Sequence, residues 1–171
     1  MVIQKLLRKL KQTPMDLKTL GTLLPSYATT ATYSQIKGRH RSDLFGKHQC
    51  IVVLIPSKFS NIGHFVVLLR KQKSIEYFSS LGGSPYSEIS RLGQNDKDMF
   101  LKLLGKNFIY NSKQLQSKSS TIHDCALWCL ARIKLNDLKL ADFQKIFTRS
   151  LHLKSSDDIV AMLTILLVSE L

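Results

Sequence analysis

The chain has 171 residues, 44% of them hydrophobic, and its 25 basic and 12 acidic side chains give a formal net charge of +13. This length predicts one domain, residues 1–171, with its own hydrophobic core. Three cysteines without a CxxC pair argue against a disulfide scaffold and a zinc ribbon. The N-terminus has no signal-peptide pattern, and the longest apolar run, 159–168, is too short to span a bilayer. We therefore expect a soluble, intracellular, monomeric protein without stable membrane insertion.

The chain begins with two predicted helices. Residues 1–12 form a basic amphipathic segment with apolar residues at helical spacing. We expect this segment to dock on the domain; a membrane surface and nucleic acid are the alternative partners. The second helix is predicted from Pro14, with Thr13 as its cap, to near Leu24.

The polar stretch 26–48 is rich in Thr, Ser and Gly and predicts a long surface loop or short irregular pieces. The net charge predicts attraction to a polyanion such as nucleic acid, and basic residues are concentrated in this stretch. The candidate double-stranded DNA contacts are Lys37, Arg39, Arg41 and Lys47. A solvated basic loop without a ligand is the alternative.

The middle of the chain predicts a sheet. Three apolar runs with short polar connections, 50–55, 64–70 and 75–78, are typical of buried strands in an antiparallel meander. The remaining elements are a loop or short helix at 84–93, a helix at 96–104, a short strand at 107–110, and helices beginning near Cys125, Asn136 and Asp157. The predicted class is α+β: a small, mostly antiparallel sheet packed against helices, with a central buried helix that bears Cys125 at its N-terminus.

Cys125 follows a polar run and opens the apolar segment 125–133. A thiol at a helix N-terminus lies near the positive end of the macrodipole, which favours the reactive thiolate. Cys125 is therefore a candidate nucleophile, and a buried core cysteine is the alternative. A metal site made of His123, Cys125 and Cys129 with His64 is disfavoured, because structural zinc sites usually take cysteines from a turn and not from a buried helix.

Two further residues fit the chemistry of a cysteine protease. His64 opens a buried strand after a glycine, where its ring can face a cleft and act as general base. Gln116 lies in the polar loop before Cys125 and can donate a side-chain N–H to an oxyanion, with the backbone N–H of Cys125 as second donor.

The order of these motifs resembles the adenovirus-type and ubiquitin-like-protein-processing cysteine proteases. The residues that carry the resemblance are Gly63-His64-Phe65, then Tyr77-Phe78-Ser79-Ser80-Leu81-Gly82, then Tyr110-Asn111 leading to Gln116, then Asp124-Cys125 followed by Trp128-Cys129-Leu130. The resemblance covers about His64 to Leu130. It implies an adenovirus-protease-like, papain-like arrangement in which Cys125 is the nucleophile, His64 the base and Gln116 an oxyanion donor.

The sequence departs from the family pattern at three places. Ser79 stands where the family has an acid; a serine can orient the imidazole but cannot stabilise an imidazolium by charge. Glu76 is not expected to replace that acid, because strand alternation points it to the opposite face. Ala126 replaces the usual glycine after the cysteine. Gln116 stands a little farther from the cysteine than is common, and Gln114 is the competing choice for the oxyanion site.

By this resemblance the chain is predicted to be a cysteine endopeptidase that matures capsid or other structural proteins during virion assembly, most like viral maturation proteases, including those of virophages and related DNA elements. It would act in the virion or at the intracellular site of assembly, without a cofactor, and DNA is a candidate activator. The alternatives are a protease that removes a ubiquitin-like modifier and a non-catalytic nucleic-acid-binding module.

Overall fold

A computed structural model describes residues 2–60, 62–118, 123–149 and 155–168. Its strands form one five-stranded sheet in chain order: β1 Ala28–Thr32, β2 Cys50–Ile55, β3 His64–Arg70, β4 Ile75–Phe78 and β5 Ile109–Tyr110. The central pairs β2–β3 and β3–β4 are antiparallel, whereas the outer pairs β1–β2 and β4–β5 are parallel. The α+β class and the central meander are confirmed, and the sheet as a whole is mixed.

Helices cover both faces of the sheet. They are α1 Val2–Gln12, α2 Leu17–Thr22, α3 Tyr33–Ile36, α4 Pro85–Arg91, α5 Lys97–Leu104, α6 Cys125–Lys134, α7 Leu140–Arg149 and α8 Ser156–Val168. Alternate residues of β2 and β3 pack into two separate cores, one shared with α6, α7 and α8 and the other with α3, α4 and α5. Burial on both faces explains why these strands are continuously apolar.

The stretch 26–48 is more ordered than predicted. It contains β1 and α3, because Thr-rich residues 28–32 pair in parallel with β2. The second helix is shorter than predicted: Asp16, not Thr13, caps it, accepting a hydrogen bond from the Thr19 N–H. Asn136 does not begin α7 either, since its side chain donates to the Ile133 carbonyl and ends α6 instead.

Helix α6 is buried around most of its circumference. Arg132 of α6 is fully buried and donates two hydrogen bonds to the Glu76 carboxylate of β4, at 2.6 and 2.9 Å. This ion pair fixes α6 against the sheet. It also shows that the Glu76 carboxylate faces Arg132 and not Ser79. Arg132 also donates to the Leu135 carbonyl at 2.6 Å and to the Leu138 carbonyl at 3.1 Å, so its buried guanidinium is well supplied with acceptors.

Helix α1 docks on the domain, as expected from its amphipathic pattern. Leu7 is buried, and Lys11 forms an ion pair of 2.5 Å with Asp158 of α8. The Lys11 carbonyl also accepts a hydrogen bond of 2.7 Å from the His123 N–H, just before α6. Among the described helices, none combines the length and apolar character needed to cross a membrane.

Candidate active site

The predicted nucleophile, base and oxyanion donor line one cleft of about 720 Å³. Cys125 is half-buried at the first residue of α6, and His64 is buried at the first residue of β3, where the sheet ends. Gln116 is buried in the loop between β5 and α6. His64 and Gln116 are 52 positions apart in the chain, and both meet Cys125 at one end of the sheet.

Burial keeps both reactive groups neutral at neutral pH. It lowers the pKa of His64 to about 3, with a smaller contribution from the nearby charge of Arg91. Burial also raises the pKa of the Cys125 thiol to about 11, against the lowering effect of the Phe65 backbone N–H. The expectation that the helix N-terminus alone would favour a thiolate is therefore wrong, because desolvation outweighs the dipole. Cys125 is therefore not a preformed thiolate, and its thiol proton must be removed during attack.

Ser79 lies beside the imidazole, as predicted, and a carboxylate lies behind it. The His64 Nε2 is 2.9 Å from the Ser79 Oγ. The Ser79 hydroxyl donates to Oε1 of Glu88 at 2.5 Å, and the Tyr77 hydroxyl donates to Oε2 at 2.6 Å. All four side chains are buried. From the sequence, Ser79 was expected to orient His64 without a charged group. The structure adds Glu88, whose carboxyl group is hydrogen-bonded to Ser79.

The turn after β4 brings Glu88 to Ser79. Gly82 has φ of +72°, and a Cβ there would lie 2.4 Å from the backbone of Lys113. A Cβ on Gly83 would lie 2.5 Å from the Glu88 side chain, so only glycine leaves room for this carboxyl. Ser84 then caps α4 by accepting from the Ser87 N–H, and α4 carries Glu88 in its first turn.

The structure favours Gln116 over Gln114 at the cleft. The Gln116 Oε1 accepts from the Ser80 hydroxyl at 2.6 Å, and the Ser80 carbonyl accepts from the Gln116 backbone N–H at 3.0 Å. These bonds fix the amide and leave its Nε2 as the group available to an oxyanion. Gln114 is exposed and donates to the Gln116 carbonyl at 2.9 Å, so its amide is turned to the backbone.

A pair of buried carboxyl groups lies under the nucleophile. Asp124 is fully buried at the cap of α6; burial and then the charge of neighbouring Asp157 raise its pKa. Burial likewise raises the pKa of Asp157, which accepts hydrogen bonds from the Ser117 N–H at 3.2 Å. Two adjacent carboxyls of this kind hold a proton that the unfolded chain releases.

This pair makes stability depend on pH. The folded pKa of Asp124 lies above the ordinary 3.8, so the folded state binds more protons than the unfolded chain above that value, and stability falls as pH rises from about 4. We expect Asp124→Asn to reduce this fall in stability and to raise Tm near pH 8 by roughly 3–6 °C. This shift corresponds to an increase in the free energy of unfolding on the order of 1–2 kcal/mol.

Circular dichroism melts between pH 5 and 8 test this expectation. Asp142→Asn is the control, since its carboxylate pairs with Lys145 at the surface. Parallel pH profiles for wild type and Asp124→Asn would show that the buried pair holds no extra proton.

The candidate DNA contacts do not form one free basic patch. Lys37 is paired with Asp96, and the Arg39 Nε donates to the Gln35 carbonyl at 2.9 Å, whereas Arg41 and Lys47 are exposed. A hollow of about 250 Å³, which we call the basic hollow, is lined by Arg41, Arg70, Lys71 and Lys73. Arg70 ends β3 and His64 begins it, so the basic hollow lies about 20 Å from the cleft.

The cleft walls are largely apolar and partly exposed. Phe59 is 78% exposed, Ile62 is 50% exposed, and both lie on the connection between β2 and β3 with Leu54 and Leu81 close by. Such walls suit an extended peptide with apolar side chains. Within the described ranges, no three His, Cys, Asp or Glu residues are arranged to hold a metal ion.

Sequence reasoning did not find Glu88, Asp157 or the basic hollow. Glu88 lies nine positions after Ser79 and on a short helix, and only the turn at Gly82 and Gly83 brings the two together. The sole sequence signal was the Ser84-Pro85 start of a helix with an acid in its first turn.

Comparisons with known proteins show similarity at low sequence identity. No protein-family model matches it. An uncharacterized protein of Sputnik virophage, V9, is 29% identical over 143 residues, covering 76% of this chain and 81% of that protein.

Three solved structures are similar at low identity. The SUMO protease Ulp1 has a TM-score of 0.47 at 11% identity, covering 97% of this chain and 83% of that one. The central domain of an uncharacterized Legionella pneumophila protein has a TM-score of 0.47 at 14% identity, covering 92% and 98%. An ASFV protease has a TM-score of 0.37 at 20% identity, covering 75% and 50%. At these values they assign no function to the chain, which is thus similar to a virophage protein and, more distantly, to cysteine and viral proteases.

Proposed function

We propose that this protein is a cysteine endopeptidase that cleaves viral capsid or other structural precursors during virion maturation. The observation that carries the proposal is the convergence of Cys125, His64 and Gln116 on one cleft. Nucleophile, base and amide donor are the groups that acyl transfer to a thiol requires. The relative from a virophage supports a viral setting.

In the proposed reaction, the Cys125 sulfur attacks the scissile carbonyl while His64 takes the thiol proton. The Nε2 of His64 is occupied by Ser79, so Nδ1 receives that proton. The Gln116 amide and the Cys125 backbone N–H, at the start of α6, stabilise the oxyanion. His64 then returns the proton to the leaving amine, and water hydrolyses the thioester.

The test is cleavage of a capsid-derived peptide pool by wild type and Cys125→Ala. We expect products only with wild type, identified by mass spectrometry from their new amino and carboxyl termini. A parallel reaction with ubiquitin-like modifiers fused to a reporter distinguishes the deconjugating alternative: release of reporter without cleavage of the capsid pool would favour it. No product with either substrate would contradict the proposed peptidase.

Nucleic-acid binding is a second candidate function, supported by the net charge of +13 and by the basic hollow. Its four cations lie away from the cleft, so bound DNA would leave the cleft open. We expect double-stranded DNA binding that weakens as salt is raised, persists in Cys125→Ala and is lost in Arg41→Glu/Lys73→Glu.

Adding DNA to the cleavage assay tests whether DNA activates the proposed peptidase. Equal cleavage with and without DNA would remove that role.

A further inference from the structure

We propose that Glu88 is the acidic positioning residue of this site and acts on His64 through the Ser79 hydroxyl. The inference rests on the proposed peptidase function and assigns the acid that the sequence lacks at position 79. The evidence is a continuous chain of buried hydrogen bonds from His64 to Ser79 to Glu88. Those two bonds bring the carboxylate within about 5 Å of the imidazole.

The hydroxyl proton fixes the direction of this chain. Ser79 has a single O–H, and an ionised carboxylate only accepts. Ser79 donates to Glu88 at 2.5 Å, so its oxygen must accept from the His64 Nε2–H at 2.9 Å. A second lone pair of that oxygen accepts from the Leu81 backbone N–H at 3.3 Å. His64 is therefore held in the tautomer with a free Nδ1, the one that can remove a thiol proton.

The site is built around the carboxylate form of Glu88. Its Oε1 accepts from Ser79 and from the Gly83 N–H at 3.2 Å, and its Oε2 accepts from the Tyr77 hydroxyl at 2.6 Å. Burial raises the pKa of Glu88, and the bonds from Ser79 and Tyr77 oppose that shift. Three donors converging on one buried carboxyl are more than a packing role needs, because each would otherwise lose a partner.

The charges around Glu88 are compatible with this role. Arg91 lies on the same helix and lowers the pKa of Glu88, while Tyr77 and Cys129 face it as neutral groups whose own pKa values its charge raises. Arg91 also lowers the pKa of His64 and so disfavours the imidazolium. When His64 takes the thiol proton, Glu88 is the carboxylate placed to offset that effect, through Ser79. Glu76 cannot serve, since Arg132 holds both of its oxygens.

Steady-state kinetics of four variants test the proposal. Because general-base catalysis contributes about 10²–10⁴-fold, we expect Glu88→Ala and the isosteric Glu88→Gln to lower kcat about 10–100-fold with KM nearly unchanged. In Ser79→Asp/Glu88→Ala the aspartate takes the space and charge of the removed glutamate, and we expect recovery of most of that loss. Phe100→Leu, a core change on the same side of the sheet, controls for destabilisation and should keep kcat.

A second readout does not depend on turnover. The ¹⁵N chemical shifts of His64 in the Cys125→Ala background should show the Nε2–H tautomer with Glu88 present and a mixture of tautomers in Glu88→Ala. An unchanged tautomer together with an unchanged kcat in Glu88→Gln would overturn the role of Glu88. If wild type cleaves nothing, the tautomer shift still decides whether Glu88 orients His64, so the failure of the inference is separable from the failure of the proposed function.

Discussion

Replacing His64 by alanine is expected to lower kcat/KM for a cleaved peptide by about 10³–10⁴-fold, which is about 4–5.5 kcal/mol of transition-state stabilisation. The reason is the environment of Cys125: burial raises the pKa of its thiol to about 11. A half-buried thiol with a raised pKa and no base carries almost no thiolate near pH 7, so the loss of His64 cannot be compensated by the helix N-terminus.

Fluorogenic peptide hydrolysis near pH 7 measures this effect. His40→Ala is the matched control, because His40 is exposed and lies outside the cleft. The activity of His64→Ala should recover partly at high pH, where hydroxide deprotonates the thiol. A loss smaller than tenfold with the fold intact would mean that Cys125 reacts without His64.

Replacing Gln116 by alanine should lower kcat by about 10²–10³-fold with little change in KM, as removal of one oxyanion donor does. Gln116 is held by Ser80 through both its side chain and its backbone. The amide is thus oriented before substrate arrives, and no reorganisation is needed when charge develops on the carbonyl oxygen.

Gln114→Ala distinguishes the two glutamines. The amide of Gln114 is exposed and bonded to a carbonyl, so we expect at most about a threefold effect from its removal. Gln116→Glu replaces the donor by a carboxylate and should be at least as damaging as alanine. If Gln114→Ala were the more damaging change, the loop would rearrange on binding substrate and the oxyanion donor would be Gln114.

Much of the fold could be predicted from the pattern of apolar and polar residues. The strands at 50–55, 64–70 and 75–78 have the predicted bounds because their apolar runs are continuous and end at polar or turn residues. Strand β1 was missed because its residues are alanine and threonine, and only pairing with β2 gives them a buried neighbour. Small residues carry little periodic signal, so tertiary contacts decided their state.

The candidate site could likewise be predicted only in part from the sequence. The positions of Cys125 and His64 at element ends follow from local sequence. Which carboxylate supports His64 does not: strand alternation excluded Glu76, but Glu88 reaches Ser79 only through the turn after β4. The raised pKa of the Cys125 thiol also could not be predicted from the sequence, because desolvation depends on atoms from several helices and strands.

The attachment of α1 has a consequence for the order of folding. Lys11 contacts Asp158, 147 positions away, and also receives a bond from His123 beside the nucleophile. Contacts of such long range close late, after the entropy of a long loop has been overcome. During synthesis the segment before Cys125 therefore cannot be fastened to α1 and α8 until α8 has left the ribosome. The attachment of His123 to α1, next to the proposed nucleophile, would then be completed only after translation of α8.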